Sequence, residues 1–130
     1  APMLVRQVVT PETSARVKEI LRNVVEKGTG KPAAIPGYSM GGKTGTANKI
    51  DPRTGKYMKG RNVASFCGFF PFDHPRYTIL VVMDSPKGLV YGGDSAAPVF
   101  REIAKRIITI KGIKPDVQVP AGPAPATAAR

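Results

Sequence analysis

The run Gly37-Tyr38-Ser39-Met40-Gly41-Gly42-Lys43-Thr44 gathers residue types suited to chemistry on an anion: a lysine, hydroxyls and closely spaced glycines. It satisfies the phosphate-loop pattern G-x-x-x-x-G-K-[ST], in which backbone N–H groups cradle phosphates and the lysine adds charge. Ile79-Leu80-Val81-Val82-Met83, followed by Asp84, even imitates the strand and metal-binding acid that accompany such loops. A phosphate loop works where a buried strand hands over to a helix, whose free N–H groups and dipole meet the anion. Here Lys31 to Pro36 contains Pro32 and Pro36 and cannot be a central strand. Gly45, Pro52 and Gly55 follow Lys43 with no apolar stripe, so no helix of three turns can begin there. Nucleotide binding is thus the alternative reading, and its surroundings argue against it.

The same residues make a different site if they form a strand. Gly42-Lys43-Thr44-Gly45-Thr46-Ala47 would offer edge N–H and C=O groups to an extended peptide. Lys43 would supply charge, Thr44 and Thr46 hydroxyls. Gly42 and Gly45 would leave room for another backbone. Side-chain alternation sets Thr44 and Thr46 on one face and Lys43 and Gly45 on the other. Twist or a bulge must therefore act if all of them serve one ligand.

The elements that must hold this strand are readable on either side. Leu4 to Val9 is β-rich, a candidate short strand. Thr10-Pro11-Glu12 then opens a helix, with an N-cap threonine, proline at the first position and an acid in the first turn. Its stripe is Val17, Ile20, Leu21, Val24 and Val25, and Lys27-Gly28 closes it. Asp51 to Gly55 is a turn. Asn62 to Phe72 and Tyr77 to Met83 read as an antiparallel pair around Asp73-His74-Pro75. The unbroken apolar run Ile79 to Met83 predicts a strand covered on both faces. A second helix runs from Asp94 or Ser95 to about Ile110, with Phe100, Ile103, Ala104, Ile107 and Ile108 as its stripe. The expected fold is α+β, a small antiparallel sheet with packed helices. Residues 1–112 form the domain, and 113–130 are expected as a disordered Pro/Ala-rich tail.

The chain has 130 residues, enough for one core. Its net charge of +11 attracts anions of any class, including nucleic acid, anionic lipid and cell-wall polymer. No apolar run approaches the roughly 18 residues of a membrane span. Ala1 to Arg6 is not a signal peptide and reads as mid-domain sequence, so the chain is expected to be a piece of a longer one.

Lys43-Thr44-Gly45 followed by Thr46 matches the third motif of penicillin-binding proteins and serine β-lactamases. The match widens through Gly28-Thr29-Gly30, Ala64 to Pro71, Val81 to Gly88, and Tyr91-Gly92-Gly93 through Phe100. From about residue 3 to 110 the chain resembles the C-terminal part of a class B penicillin-binding protein transpeptidase domain. The likeness is to the septal, division-specific type. That resemblance implies D,D-transpeptidation of peptidoglycan stem peptides through an acyl-serine, β-lactam binding, and a place on the periplasmic side of the inner membrane. It also implies an upstream lobe of the same domain and division-machinery proteins as partners, with no cofactor and no metal. Lys43 would polarise the site and hold the substrate carboxylate. Thr44 and Thr46 would hydrogen-bond that carboxylate, and the N–H of Thr46 would give half of an oxyanion hole. Gly45 belongs to the substrate strand and Tyr91 to an aromatic wall.

The chain departs from the family pattern at the nucleophile. Three residues after Ser14, Ser39, Ser65, Ser85 and Ser95 stand Val17, Gly42, Gly68, Gly88 and Pro98, never lysine. Two residues after them there is no asparagine. The S-x-x-K and S-x-N motifs are expected upstream, and this chain alone is expected to be inactive.

Other polar residues read as structural. His74 stands alone in a turn and is no metal ligand. Cys67 lies in an apolar strand and is expected to be a buried small side chain. Lys49, Arg53, Lys56, Lys59 and Arg61 could mark a nucleic-acid module, but only Tyr57 is interleaved for stacking. They read as a solvated, mobile loop between strands, and no nucleic acid is expected.

Overall fold

The computed structural model describes residue 3 and residues 5–118. Helix α1 is Pro11–Glu26, capped as expected: the Thr10 side chain accepts from the Thr13 N–H at 3.2 Å. A single 3-10 turn at Lys31–Ala33 leads to strand β1, Gly41–Ile50. Strands β2, Tyr57–Phe70, and β3, Tyr77–Asp84, complete an antiparallel sheet in the order β1-β2-β3. Helix α2, Ala96–Lys111, ends at Gly112, whose left-handed φ of 58° suits glycine. The expected α+β architecture is the observed one.

Register sorts the sheet into two faces. Thr44, Phe66 and Val81 lie side by side, as do Thr46, Ala64 and Met83, on the face that meets α2. Phe66, Phe70 and Phe100 are fully buried there, and the Phe66 and Phe100 rings meet edge to face at 4.9 Å. Each contributes about 1.5–3 kcal/mol by leaving water. Ala96, Ala97, Ala104 and Ile108 complete the contact from α2, while Val25 of α1, Ile35 and Met40 close the end near β1.

The opposite face is only partly covered. Lys43, Cys67 and Leu80 form one row and Gly45, Ser65 and Val82 the next. Leu80 is 63% and Val82 57% exposed, so β3 is covered on one face, not on both as its apolar run suggests. Cys67, expected buried, is exposed for the same reason. The α1 stripe is likewise divided: Val25 is buried, Leu21 and Val24 are half-buried, and Val17 and Ile20 are exposed.

Three further expectations are corrected. Of the candidate strand Leu4 to Val9, Leu4 lies outside the described residues, and Val5 to Val9 pair with no strand of the sheet and stay exposed, leaving most of their backbone groups to water. Strand β2 begins at Tyr57, five residues before the position its apolar pattern marks, because an exposed hairpin arm admits charged residues. The basic stretch is therefore mostly strand, with a bulge between Asn48 and Ile50, and only residues 51–56 form the turn. Lys49 reaches across β2 to hold Asp84 of β3 at 2.7 and 2.9 Å.

The expected tail divides at its start. Ile113 packs on the core, and its carbonyl accepts from the Tyr38 hydroxyl at 3.0 Å. Asp116 accepts from the Ser39 N–H at 2.7 Å and from the Ser39 hydroxyl, while the N–H groups of Asp116 and Val117 reach the Gly37 carbonyl. These polar partners, invisible to composition, dock 113–117 beside the turn that leads into β1. Residues 119–130 of that expected tail lie outside the described residues.

Candidate active site on the first strand

Lys43 and Thr44 lie within β1, and no helix follows them. The segment ahead is a turn, with Gly37 at φ 83° and a bridge between Ile35 and Tyr38. The phosphate-loop geometry of strand, glycine loop and helix N-terminus is absent, and the nucleotide reading falls with it. Asp84, its imagined metal-binding acid, is occupied. The hydrogen bond from Lys49, then that from Ser85, holds its carboxyl below the usual carboxylate range.

Within the strand, the side chains of Lys43 and Thr44 leave on opposite faces. Even so, the Lys43 ammonium donates to the Thr44 carbonyl at 2.8 Å and reaches the Thr44 hydroxyl at 3.4 Å. Both atoms are accessible to it only around the free edge of β1, so the long lysine stem curls around that edge. No bulge is needed near the glycines. It follows that the Thr44 carbonyl points outward, and antiparallel alternation turns the N–H of Thr46 the same way. The edge thus carries an ammonium, a hydroxyl and an outward N–H.

A pocket of about 260 Å³ opens on the α2 side of this edge, lined by Thr29, Thr44, Thr46 and Tyr91-Gly92-Gly93-Asp94. Three of the expected residues, Thr44, Thr46 and Tyr91, therefore share it. Tyr91 is 64% exposed and forms its outer side. Lys43 joins through its contact with Thr44. Gly45 does not face the pocket, and the space a side chain would need there is held by the Ser65 hydroxyl at 2.5 Å. The close backbone approach expected at Gly42 and Gly45 occurs instead at Gly92, which sits over the sheet between Thr44 and Thr46. A Cβ on Gly92 would lie 2.6 Å from the Gly45 carbonyl oxygen, and its N–H donates to the Thr46 hydroxyl at 3.3 Å.

Sequence reasoning about the site missed Thr29. Its hydroxyl lies 2.9 Å from that of Thr44, so it orients the pocket from the loop after α1. The available signal was Gly28-Thr29-Gly30 following a helix, which marks the loop without revealing its contact. His74 sits exposed in the β2–β3 turn. Among the described residues, no three His, Cys, Asp or Glu side chains gather as a metal set, and no helix is long and apolar enough to cross a membrane.

Chemically, the edge offers groups that an extended peptide with a carboxylate could use: charge from Lys43, hydroxyls from Thr44 and Thr46, and an outward N–H at Thr46. Comparison with known proteins identifies the family. Residues 1–105 match the family described as penicillin binding protein transpeptidase domain. The chain is 40% identical over 116 residues to stage V sporulation protein D of Bacillus subtilis, covering 88% of this chain and 18% of that protein. It is 42% identical over 122 residues to the probable peptidoglycan D,D-transpeptidase FtsI of Caulobacter vibrioides, covering 84% and 21%. Its fold superposes on penicillin-binding protein 3 of Mycobacterium tuberculosis, solved in complex with aztreonam, with a TM-score of 0.74 and 36% identity. That alignment covers 86% of this chain and 27% of the other. The chain thus spans about a fifth of the length of the curated relatives it matches. It belongs to the penicillin-binding protein transpeptidase domain family, in the class B branch.

Proposed function

We propose that the chain is the C-terminal part of a septal-type peptidoglycan D,D-transpeptidase domain, contributing the Lys-Thr-Gly strand to an active site completed by a serine-bearing upstream lobe. The observation that carries this reading is the free edge of β1. There the Lys43 ammonium, the Thr44 hydroxyl and the outward N–H of Thr46 converge beside the pocket under Tyr91. Lys43 and the two threonine hydroxyls bind the carboxylate of a stem peptide or a β-lactam. The N–H of Thr46 supplies one oxyanion donor, a group worth about 3 kcal/mol in the transition state. Tyr91 screens the pocket from solvent on its outer side. The nucleophile is absent, since none of the five serines precedes a lysine by three residues. A relative's structure with aztreonam supports β-lactam recognition by this kind of domain. Such chemistry belongs on the periplasmic side of the membrane, where the polymer is, together with the division machinery.

The test is acylation by a fluorescent penicillin. The isolated chain is expected to carry no covalent label, and the full-length protein is expected to label. A covalent adduct on the isolated chain would overturn the assignment of the nucleophile to another part of the protein.

A further inference from the structure

The pocket's upper wall is a loop held at its far end by α2, where the Tyr91 and Gly92 carbonyls accept from the N–H groups of Asp94 to Ala97, while little ties its middle. Ser85 to Asp94 joins β3 to α2, and Lys87, Gly88, Leu89 and Tyr91 are all exposed. Among the described residues, and apart from the Ser85 hydroxyl on its neighbour Asp84, three hydrogen bonds tie this loop to the sheet. The Ser85 N–H donates to the Asn62 carbonyl at 2.8 Å, and the Asn62 side-chain amide donates to the Val90 carbonyl at 2.6 Å. The third is the Gly92 N–H on the Thr46 hydroxyl, at 3.3 Å. Two of the three, including the shortest, come from one residue.

We infer that Asn62 is a positioning residue, whose amide clamps the loop so that Tyr91 and Gly92 stand over Thr44 and Thr46. The inference rests on the transpeptidase reading for its effect on acylation, though not for the clamp itself. Asn62 is 6% exposed, and its Oδ1 is buried with no partner. Its orientation is fixed by chemistry: a carbonyl can pair only with the Nδ2 end, so Oδ1 must be the orphan. A buried acceptor left unpaired costs stability, and an apolar residue of the same size would avoid that cost. The contribution of Asn62 therefore lies in what Nδ2 holds. It sits in β2 opposite Asn48, two positions along the register from the Thr46–Ala64 pair, close enough for the clamp to set where the loop crosses the pocket.

Asn62→Leu separates positioning from stability, because it removes the donor and the orphaned acceptor together while keeping the same branched set of four side-chain heavy atoms. In the full-length protein it is expected to melt at or above the wild-type temperature. Its second-order acylation by a fluorescent penicillin should fall by about tenfold or more, as expected when a binding wall is misplaced. Tryptic cleavage after Lys87 should accelerate relative to cleavage after Lys111. Wild-type acylation and wild-type cleavage at Lys87 would overturn the clamp. Loss of acylation accompanied by a matching fall in melting temperature and faster cleavage at every site would also overturn it, as a merely structural role. Should the leucine variant not fold, Asn62→Ala removes the same donor without overfilling the site, and acylation should fall and cleavage at Lys87 accelerate as for leucine. Failure of the wild-type protein to acylate would sink the transpeptidase reading instead, and faster cleavage at Lys87 in the variant would still support the clamp.

Discussion

An ammonium that starts on one face of a strand and ends at the other can serve two rows of side chains at once. Lys43 does so by curling around the free edge of β1 to the carbonyl and hydroxyl of Thr44. Its stem is exposed and fills no core space, so removing it should cost the fold little. In the full-length protein, Lys43→Ala is expected to lower penicillin acylation by roughly two to three orders of magnitude, the scale of losing one preorganised stabilising group. The melting temperature should stay near wild type. Wild-type acylation in that variant would remove Lys43 from the site. At this scale the sequence was informative where the proposed site lies within one short segment: Lys43, Thr44 and Thr46 were singled out without tertiary knowledge, and the strand that carries them is the observed β1. The contacts of Thr29 and Asn62 were illegible because their partners lie 15 and 28 residues away, at distances no spacing rule covers.

Among the strands, pairing decides protection more than hydrophobicity does. The apolar run of β3 suggests the most protected amides, yet β3 is an edge of the described sheet, as β1 is. Only β2 is paired on both sides. In the isolated chain, amides from Ala64 to Gly68 should therefore exchange slowest, and those of Thr44 and Thr46 should exchange fast because they face the open edge. Along β3, protection should alternate, since every second N–H points away from β2. Hydrogen exchange checks this directly, and slow exchange at Thr44 and Thr46 would mean that another strand covers that edge. The helices were legible because caps and periodicity are local, as at Thr10-Pro11 and Gly112. The reach of the β1–β2 hairpin was not, because Tyr57 to Arg61 carries a turn's composition while running as a strand. The antiparallel β2–β3 pair and the edge position of β1 were legible, but the open second face of β3 was not.

At the scale of the whole molecule, the exposed apolar groups form a pattern. Leu80, Val82 and Cys67 share the sheet face away from α2, and Val17 and Ile20 are the uncovered part of the α1 stripe. A strand such as Ile79 to Met83, apolar on both faces, is the composition of a central sheet element sandwiched between layers. The sequence is therefore consistent with a two-sided layer of which this chain supplies one side. Its relatives are about five times longer, which leaves ample chain for the other. Cys67 reports on that face, since its thiol is exposed here and would be covered by a second layer. Alkylation by a maleimide should be rapid in the isolated chain and should slow by an order of magnitude or more in the full-length protein, as burial limits thiol access. Denaturant should restore the rate in the longer form. Equal labelling of both native forms would mean that the face stays open in the full-length protein and that no second layer covers it.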